Sequence, residues 1–517
     1  MTEISIKQLQ RKGWGETVSF DKFDPEQGLL RARYLFCGQP PEEKFSCNGH
    51  TLPPAYAKNR LVFQKEGQQE NWSVFERILW LPIMPSTTFE TTVENGVLNL
   101  QIGGRETFPN ECTPAAVARA FSPIPPDDQA LPPETRALRR LAQSPAMREI
   151  FEDAWMFMDR DTRADDNAEH LYRWIRQHHP EINTWFVLHE ESLDWSRLRA
   201  EGFRLIPFGS LKHKALFLLA RNLISSQNAS YVHSFLENQY YADLRRCKHI
   251  CLKHGVISAD HSRVLNALDV DLFLPTTDKE YHSLVDDGTS YVLTAKEVVL
   301  TGQARHDSLR EITCAGKNIF IMPTWRQNIV GARNRVEHRR EYNPAFIASP
   351  FAQIWRNLLV SHELKRLCRK YSYELIFWPH SEFANYLAEF RLPDHIRTPG
   401  GESLQVLLKQ SALLITDYSS IAFDMALLRR PMLYYHFESY DHFLKAQGRK
   451  DSYFRYDRDG FGQVCGSQEE LLAALERTLA AGCRVEAPYL ERMEQTLHLN
   501  DGKCCERIFE AIRGLRP

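Results

Sequence analysis

Hydroxyl and carboxylate side chains crowd into one turn of this sequence. The stretch LLITDYSSIAFDMALLRR places Thr416, Asp417, Ser419 and Ser420 between an apolar run and an amphipathic segment. If the run is a strand and the segment a helix, a serine caps the helix and its free backbone N–H groups suit a phosphate. Asp417 would repel phosphate, so we expect its carboxylate to accept hydrogen bonds from hydroxyl or amide donors. A capped helix that binds nothing is the alternative interpretation.

Two histidines stand directly after other apolar runs. His254, in CLKHGV, precedes a glycine that lets a ligand approach. A histidine there can stay unprotonated near neutral pH and take a proton from an alcohol. His380, after IFWP, could donate a hydrogen bond to a phosphoryl oxygen. For both residues the alternative is a histidine with only structural hydrogen bonds.

Charged residues near these positions could contact the same ligand. Arg326 in PTWR and Arg305 in GQARHD could neutralise a diphosphate, or form ordinary ion pairs. Asp424 lies four residues beyond Ser420, hence on the same helical face, and could reach a ligand hydroxyl. In RADDNAEHLY, Asn167 is suited to cap a helix, and the sequence does not decide between a cap and an acceptor site there.

The elements that position these residues alternate between strand and helix. From about residue 150 onward, short apolar runs such as TWFVLH, HICLKH, YELIFWPH and LLITDYS are separated by helical stretches. This alternation predicts α/β folding, with parallel sheets covered on both faces. The pattern restarts near residue 313, which predicts two doubly wound Rossmann-like lobes. Ligands bind beyond the carboxyl ends of such strands, so the polar residues should meet in the cleft between the lobes.

The chain is predicted to have four parts. Residues 1–120 carry strand-like runs and turn signals typical of a small β-sandwich-like accessory domain. Residues 121–136, rich in proline, are predicted to be an extended linker. Residues 137–312 and 313–517 form the two lobes.

Composition excludes several classes of protein. A net charge of -2 gives no overall attraction to nucleic acid. No run approaches the roughly 18 to 20 apolar residues that cross a bilayer, and the N-terminus lacks a signal-like apolar core, so we expect a cytoplasmic protein. Residues 211–224 are basic and apolar, so they could form a helix that touches a membrane surface. A buried helix that covers the sheet is the favoured interpretation. The segment CKHICLKH contains candidate zinc ligands, but a buried strand with free cysteines is the favoured interpretation.

Six motifs together resemble the CDP-glycerol glycerophosphotransferases, which build teichoic acids and related bacterial capsule polymers. KHGV, TGQARHDSL, MPTWR, IFWPH, LLITDYSSIAFDMALLRRPMLYY and NDGKCCERIFEAI stand in the order and spacing of that family. The resemblance extends over roughly residues 150–515 and leaves residues 1–120 outside it.

The resemblance implies a transferase of the GT-B type whose second lobe holds CDP-glycerol or CDP-ribitol. An acceptor hydroxyl would attack the β-phosphorus and displace CMP, with His254 as general base and His380 stabilising the transferred phosphoryl group. The residues that we expect to bind the donor are Arg305, Arg326, Thr416, Asp417, Ser419, Ser420 and Asp424. The residues that we expect to bind the acceptor are Asp166 and Asn167.

The implied acceptor is a lipid-linked polyol-phosphate or glycan, so we expect peripheral contact with the inner face of the cytoplasmic membrane. The sequence contains no evident carboxylate cluster for a metal. We therefore expect no tightly bound cofactor, with Mg²⁺ able to assist through the diphosphate. Two departures stand out: Lys253 replaces a residue that is often aromatic or an amide, and GQAR replaces GxPR.

Two other functions fit the same residues. A GT-B glycosyltransferase using a nucleotide sugar would share the scaffold, because fold alone does not fix function. A non-catalytic protein could instead bind an anionic polymer through its β-rich N-terminal domain. Binding of nucleotide sugars would favour the first, and polymer binding that survives loss of His254 would favour the second.

Overall fold

A computed structural model describes residues 17–37, 43–47, 50–51, 53–65, 72–83, 90–93, 99–102, 114–310, 316–332 and 340–515. The N-terminal region is β-rich, as predicted. Its strands β1 to β8 lie at Thr17–Asp24, Leu29–Cys37, Glu43–Cys47, His50–Thr51, Tyr56–Lys65, Trp72–Pro82, Glu90–Val93 and Asn99–Ile102. They form a five-stranded sheet in the order β5-β6-β2-β1-β8 and a three-stranded sheet in the order β4-β3-β7.

The five-stranded sheet is covered on both faces. On one face Phe20, Leu30 and Leu79 pack in a cluster with Val117 of helix α1, which spans Pro114–Phe121. On the other face the buried Lys58 ammonium donates to the backbone carbonyl of Leu293 in the first lobe at 3.0 Å. The sheet is therefore fixed between a helix and the first lobe.

Two helices lie where the sequence predicted other structure. Helix α1 falls within the part expected to be all strand, and helix α2, at Pro133–Gln143, begins inside the predicted linker. Proline is well accommodated at the first helical position because its missing N–H would have no partner there. The proline-rich stretch thus starts a helix after a short extended segment.

The first lobe contains a six-stranded parallel sheet. Its strands β9 to β14 lie at Trp155–Met158, Thr184–Leu188, Leu205–Pro207, Asn222–Ser225, Lys248–Cys251 and Leu272–Phe273. They are ordered β11-β10-β9-β12-β13-β14. Helices α3 to α11 lie at Pro145–Phe151, Asn167–His178, Trp195–Ala200, Leu211–Leu219, Ser230–His233, Asn238–Tyr241, Ser262–Leu265, Asp278–Val285 and Ala304–Arg310.

The second lobe repeats this arrangement. Strands β15 to β20 lie at Asn318–Met322, Glu374–Phe377, Ile396–Arg397, Ser411–Thr416, Met432–Tyr435 and Gln463–Cys465, in the parallel order β17-β16-β15-β18-β19-β20. Helices α12 to α20 lie at Pro350–Leu359, His362–Tyr371, Leu404–Lys409, Ile421–Leu427, Tyr440–Ala446, Tyr456–Asp459, Gln468–Ala480, Ala487–Thr496 and Cys504–Arg513, with 3₁₀ segments at Phe346–Ala348 and Ser381–Phe390. The expectation of two doubly wound lobes is confirmed.

The last helix returns to the first lobe. Phe509 of α20 stacks on His179 with ring centroids 3.9 Å apart, and Cys505 and Ile508 join the same apolar cluster as Trp155. The backbone N–H groups of Cys504 and Cys505 donate to the carboxylate of Asp307 at 2.9 and 2.8 Å. The folded first lobe therefore consists of residues from the predicted range 137–312 together with the C-terminal helix.

The described residues include no helix that is both long and apolar enough to cross a membrane. Helix α6 buries His213, Ala215, Leu216, Phe217 and Leu218, so it is a covering helix of the first lobe, as favoured. Leu211 at its start is 62% exposed.

Candidate active site

The carboxyl ends of the two sheets face one cleft, and the two lobes touch there. His254 and Gly255 follow β13 of the first lobe, whereas Ser419 and Ser420 follow β18 of the second lobe. A Cβ added at Gly255 would overlap the hydroxyl oxygen of Ser420 and lie 3.1 Å from its Cβ. The turns that carry the two motifs therefore pack directly against each other.

The His254 side chain is exposed at this cleft, whereas its backbone is hydrogen-bonded to the protein. The guanidinium of Arg305 donates to the His254 carbonyl oxygen at 3.0 Å. Although His254 is exposed at the cleft, desolvation by the residues around it, followed by the positive charges of Arg160 and Arg305, lowers its pKa to about 3. The ring is therefore unprotonated at neutral pH, the state that a general base requires.

His380 faces the same cleft from the end of β16. Its Nδ1 accepts a hydrogen bond from the backbone N–H of Glu382 at 3.2 Å, so the neutral ring carries its proton on Nε2. Desolvation, and then the charge of Arg160 and the proximity of His254, lower the pKa of His380 to about 3. No described residue accepts a hydrogen bond from the Nε2–H of this neutral ring, so that group is available to donate.

The turn after β18 uses two of its polar side chains to hold itself together. The Thr416 hydroxyl donates to the carbonyl of Met322 at 2.6 Å. The Asp417 carboxylate accepts the backbone N–H groups of Thr324 at 2.8 Å and Tyr418 at 2.7 Å. The expectation that Asp417 accepts from amide donors is confirmed, and these donors belong to the protein itself.

The side chains of the two serines in this turn form few hydrogen bonds with the protein. Ser420 stands at the N-cap position of α15 with helical backbone angles and no side-chain capping bond. Ser419 accepts the backbone N–H of Ile421 at 3.4 Å, a long hydrogen bond. Both side chains are half-buried, so their hydroxyls are available at the contact between the lobes.

Arg326 is embedded within the second lobe. Its guanidinium donates to the carboxylates of Asp417 at 2.8 Å and Glu438 at 2.6 Å, and to the Thr324 carbonyl at 2.7 Å. Only 2% of the residue is exposed. In this conformation the charge of Arg326 is balanced by two carboxylates that support the turn.

Arg305 and Asp424 form a buried ion pair between the lobes. Arg305 donates to both carboxylate oxygens of Asp424, at 2.9 and 3.0 Å, and to Asp166 at 2.7 Å. The imidazole of His306 lies 3.4 Å from the same Asp424 carboxylate. Although burial opposes ionisation, Arg305 and His306 hold the pKa of Asp424 below its ordinary value.

Asp166, rather than Asn167, caps helix α4. The Asp166 carboxylate accepts the backbone N–H of Asn167 at 2.8 Å, and burial raises the pKa of Asp166 to about 6 despite the nearby Arg305. The buried Asn167 amide donates to the carbonyl of Lys253 at 2.8 Å and to Gln303 at 3.2 Å. Asn167 therefore links α4 to the His254 turn.

Two arginines that the sequence analysis did not select act electrostatically on both histidines. The charges of Arg160 and Arg449 each lower the pKa values of both His254 and His380, so each arginine interacts electrostatically with both histidines. Neither guanidinium forms an ion pair within the part of the chain that the structure describes. Arg160 comes two residues after β9, so the sequence analysis could have selected it in the same way as the other residues that follow strands. Arg449 follows helix α16, and no sequence pattern marked it.

Among the described residues, no three His, Cys, Asp or Glu side chains lie together in a way that could hold a metal ion. Cys251 belongs to strand β13, as the favoured interpretation of CKHICLKH predicted, and its thiol is buried and free.

Comparison with known proteins identifies relatives for most of the chain. Residues 147–514 match the family described as CDP-glycerol:poly(glycerophosphate) glycerophosphotransferase. The chain is 31% identical over 363 residues to the minor teichoic acid biosynthesis protein GgaB of Bacillus subtilis (strain 168), a match that covers 69% of this chain and 39% of that protein. It is 27% identical over 113 residues to the teichoic acid poly(glycerol phosphate) polymerase of the same organism, covering 22% of this chain and 14% of that protein.

A solved structure shares the fold. The wall teichoic acid polymerase TagF superposes with a TM-score of 0.50 and 14% identity over 74% of this chain and 93% of that chain. The matched part of this chain spans well under half the length of the two Bacillus subtilis relatives.

Proposed function

This chain belongs to the CDP-glycerol:poly(glycerophosphate) glycerophosphotransferase family, and from that premise we propose that it transfers glycerol phosphate from CDP-glycerol to a hydroxyl group of a growing polymer. One observation carries the proposal. The His254 turn of the first lobe and the serine turn of the second lobe are in contact, and His380 faces the same cleft.

In the proposed reaction, His254 takes the proton of the acceptor hydroxyl as its oxygen attacks the β-phosphorus. The new P–O bond forms while the bond to the bridging oxygen breaks, and CMP leaves with that electron pair. The Nε2–H of His380 donates to an oxygen of the transferred phosphoryl group. Phosphoryl transfer of this kind depends on positioning and charge stabilisation rather than on covalent work by the protein.

The cations that meet the diphosphate are, in this proposal, Arg160 and Arg449. Both guanidinium groups influence the two histidines electrostatically, and neither is paired with a carboxylate in the described residues. The hydroxyls of Ser419 and Ser420 complete the donor site. Thr416, Asp417 and Arg326 shape the turn that presents those hydroxyls, and Arg305 with Asp424 joins the lobes around it.

The negative charge of the donor has a second role in this proposal. A base with a pKa of about 3 is weak, and general-base catalysis is most efficient when the pKa lies near the working pH. Two phosphates placed beside His254 favour its protonated form and raise its pKa. The bound donor thereby strengthens the base that the reaction needs.

We further propose a polyol-phosphate chain carried on a lipid as the acceptor, with peripheral contact between protein and membrane. CDP-ribitol is the alternative donor. Asp166, at the first-lobe side of the cleft, is our candidate for contact with the acceptor, whereas the Asn167 amide is committed to internal hydrogen bonds. Any Mg²⁺ would act on the diphosphate itself.

The test is CMP release from CDP-glycerol and from CDP-ribitol with a short glycerol- or ribitol-phosphate primer. The wild type should release CMP only with primer, and His254→Ala should abolish release. His282→Ala, which removes an exposed imidazole paired with Asp286, is the matched control and should leave release unchanged. If neither donor yields CMP while nucleotide sugars raise the melting temperature, a glycosyltransferase replaces this proposal.

A further inference from the structure

The residue before His254 has an unusual backbone. Lys253 adopts a φ of 50°, in the left-handed region that residues other than glycine, asparagine and aspartate rarely occupy. Such a conformation persists only where the surrounding structure holds it in place. The chain therefore needs contacts that keep this turn fixed.

The Lys253 side chain supplies some of these contacts. Only 2% of the residue is exposed, and its ammonium donates to the Thr276 hydroxyl at 2.6 Å and to the Gly255 carbonyl at 3.3 Å. It also forms an ion pair with Glu280, at 3.2 Å. The side chain thus folds back over the turn that its own backbone begins.

Glu280 anchors the other end of the same turn. This fully buried residue of α10 accepts the backbone N–H of Ile257 at 2.7 Å with one carboxylate oxygen. Its second carboxylate oxygen accepts the backbone N–H of Thr276 at 2.7 Å and faces Lys253. One carboxylate therefore ties together the His254 turn, the segment after β14 and the helix that follows.

Neighbouring groups restrain the rest of this backbone. Asn167 donates to the Lys253 carbonyl at 2.8 Å and Arg305 to the His254 carbonyl at 3.0 Å. With Lys253 itself bonded to the Gly255 carbonyl, three consecutive carbonyl groups are fixed. The imidazole of His254 is the part of the turn that is left to face the cleft.

We propose that Lys253 and Glu280 are positioning residues, a buried ion pair that fixes the left-handed turn and so directs the His254 imidazole into the cleft. The inference rests on the proposed function for its catalytic meaning, but the geometry that it assigns does not depend on the donor. Neither side chain touches the reacting atoms in this proposal.

The test compares Lys253→Met and Glu280→Gln with a matched control. Lys296→Met removes another buried lysine that is paired with a carboxylate, Asp24, at the distant contact with the N-terminal sheet. With CDP-glycerol, we expect both turn variants to lower kcat about 10- to 100-fold with little change in KM. Lys296→Met should lower the melting temperature but keep kcat.

A second readout needs no donor. The titration of the His254 imidazole is followed by NMR in protein labelled on its histidine rings, with His254→Asn used for assignment. If the pair positions the ring, both variants let the imidazole move away from the positive charges of Arg160 and Arg305, and the pKa of His254 should rise in both. Removing opposite charges would shift the pKa in opposite directions if the pair acted only electrostatically.

Opposite shifts, or no shift in either variant, would overturn the inference, as would an unchanged kcat. If the wild type releases no CMP, the proposed function fails, and the NMR titration still decides whether the pair positions His254. If Lys253→Met does not fold, Glu280→Gln and the double variant provide the same comparison without a buried unpaired carboxylate.

Discussion

Gly255 of the first lobe and Ser420 of the second lobe pack so closely that even a methyl group at position 255 would press against the Ser420 side chain. A Cβ at position 255 would overlap the Ser420 hydroxyl oxygen and lie 3.1 Å from the Ser420 Cβ. Because His254 precedes Gly255 and Ser419 precedes Ser420 in their turns, this contact sets the spacing between the proposed base and the proposed phosphate-binding hydroxyls. The separation of the two lobes at this point is thus part of the site.

Gly255→Ala should therefore separate the two turns. We expect kcat to fall about 100-fold, the scale of loss that a misplacement of about 1 Å causes. The measurement is primer-dependent CMP release, with the melting temperature recorded in parallel. Gly466→Ala is the control, because the nearest atom to its added Cβ would be 3.7 Å away. Unchanged kcat in Gly255→Ala would contradict the close contact.

The pH dependence should differ between free and donor-bound protein. The pKa of His254 is about 3 without donor, so its protonation should not lower kcat/KM, which reports the free protein, as the pH falls from 8 to about 5. Asp166, whose pKa is about 6, is a second group that titrates in this range, so the profile is measured for the wild type and for Asp166→Asn. The diphosphate raises the pKa of the bound base, so kcat should show its acidic limb at higher pH than kcat/KM does. An acidic limb of kcat/KM centred near 6.5 that persists in Asp166→Asn would count against an unprotonated His254.

Arg160 and Arg449, which form no ion pair with any described residue, should govern donor affinity. Arg449→Met and Arg160→Met should each raise KM for CDP-glycerol about 10- to 100-fold, because each removes a charge-assisted contact worth about 1.5 to 3 kcal/mol. Their melting temperatures should change little. The control is Arg366→Met, at an exposed ion pair with Glu363. An unaltered KM in both variants would reassign the diphosphate to other cations.

Arg305 should behave differently from these two. Arg305→Met leaves the carboxylates of Asp424 and Asp166 without their cation in a buried site, and breaking such a pair costs about 3 to 5 kcal/mol. We expect a clear fall in melting temperature together with loss of activity. Arg429→Met, which breaks an exposed pair with Glu494, should have almost no effect on stability. A stable Arg305→Met with raised KM would favour direct donor binding instead.

The N-terminal sheet should act as a structural part of the first lobe. Asp24 pairs with Lys296 at 2.9 Å, and both side chains are buried. Asp24→Asn leaves that ammonium unpaired and should cost about 3 to 5 kcal/mol of stability without changing kcat. Asp269→Asn provides the comparison, since Asp269 is the exposed partner of Lys22 at the same interface and its loss should cost at most about 1 kcal/mol. A large change in KM for the polymer primer in Asp24→Asn would instead indicate acceptor binding.

Local sequence patterns were enough to predict the architecture and to select strand-end residues as candidates for chemistry. Alternating apolar runs and helical stretches predicted two parallel sheets, and the structure contains both. His254, His380 and the serine turn were identifiable because each follows a buried strand directly, and strand order carries such residues to one edge of a sheet. These signals are local, since hydrophobic periodicity involves residues only a few positions apart.

Which charged side chains lack an ion-pair partner depends on tertiary contacts. Arg305 and Arg326 were selected from motifs, yet carboxylates distant in the chain, at Asp424 and Asp417, balance them. Arg160 and Arg449 have no such partner among the described residues. The sequence likewise did not predict the Lys253–Glu280 ion pair, the packing of the last helix on the first lobe or the contact between the N-terminal sheet and the first lobe. Each depends on contacts between segments separated by many residues, and local sequence patterns do not encode how two lobes pack against each other.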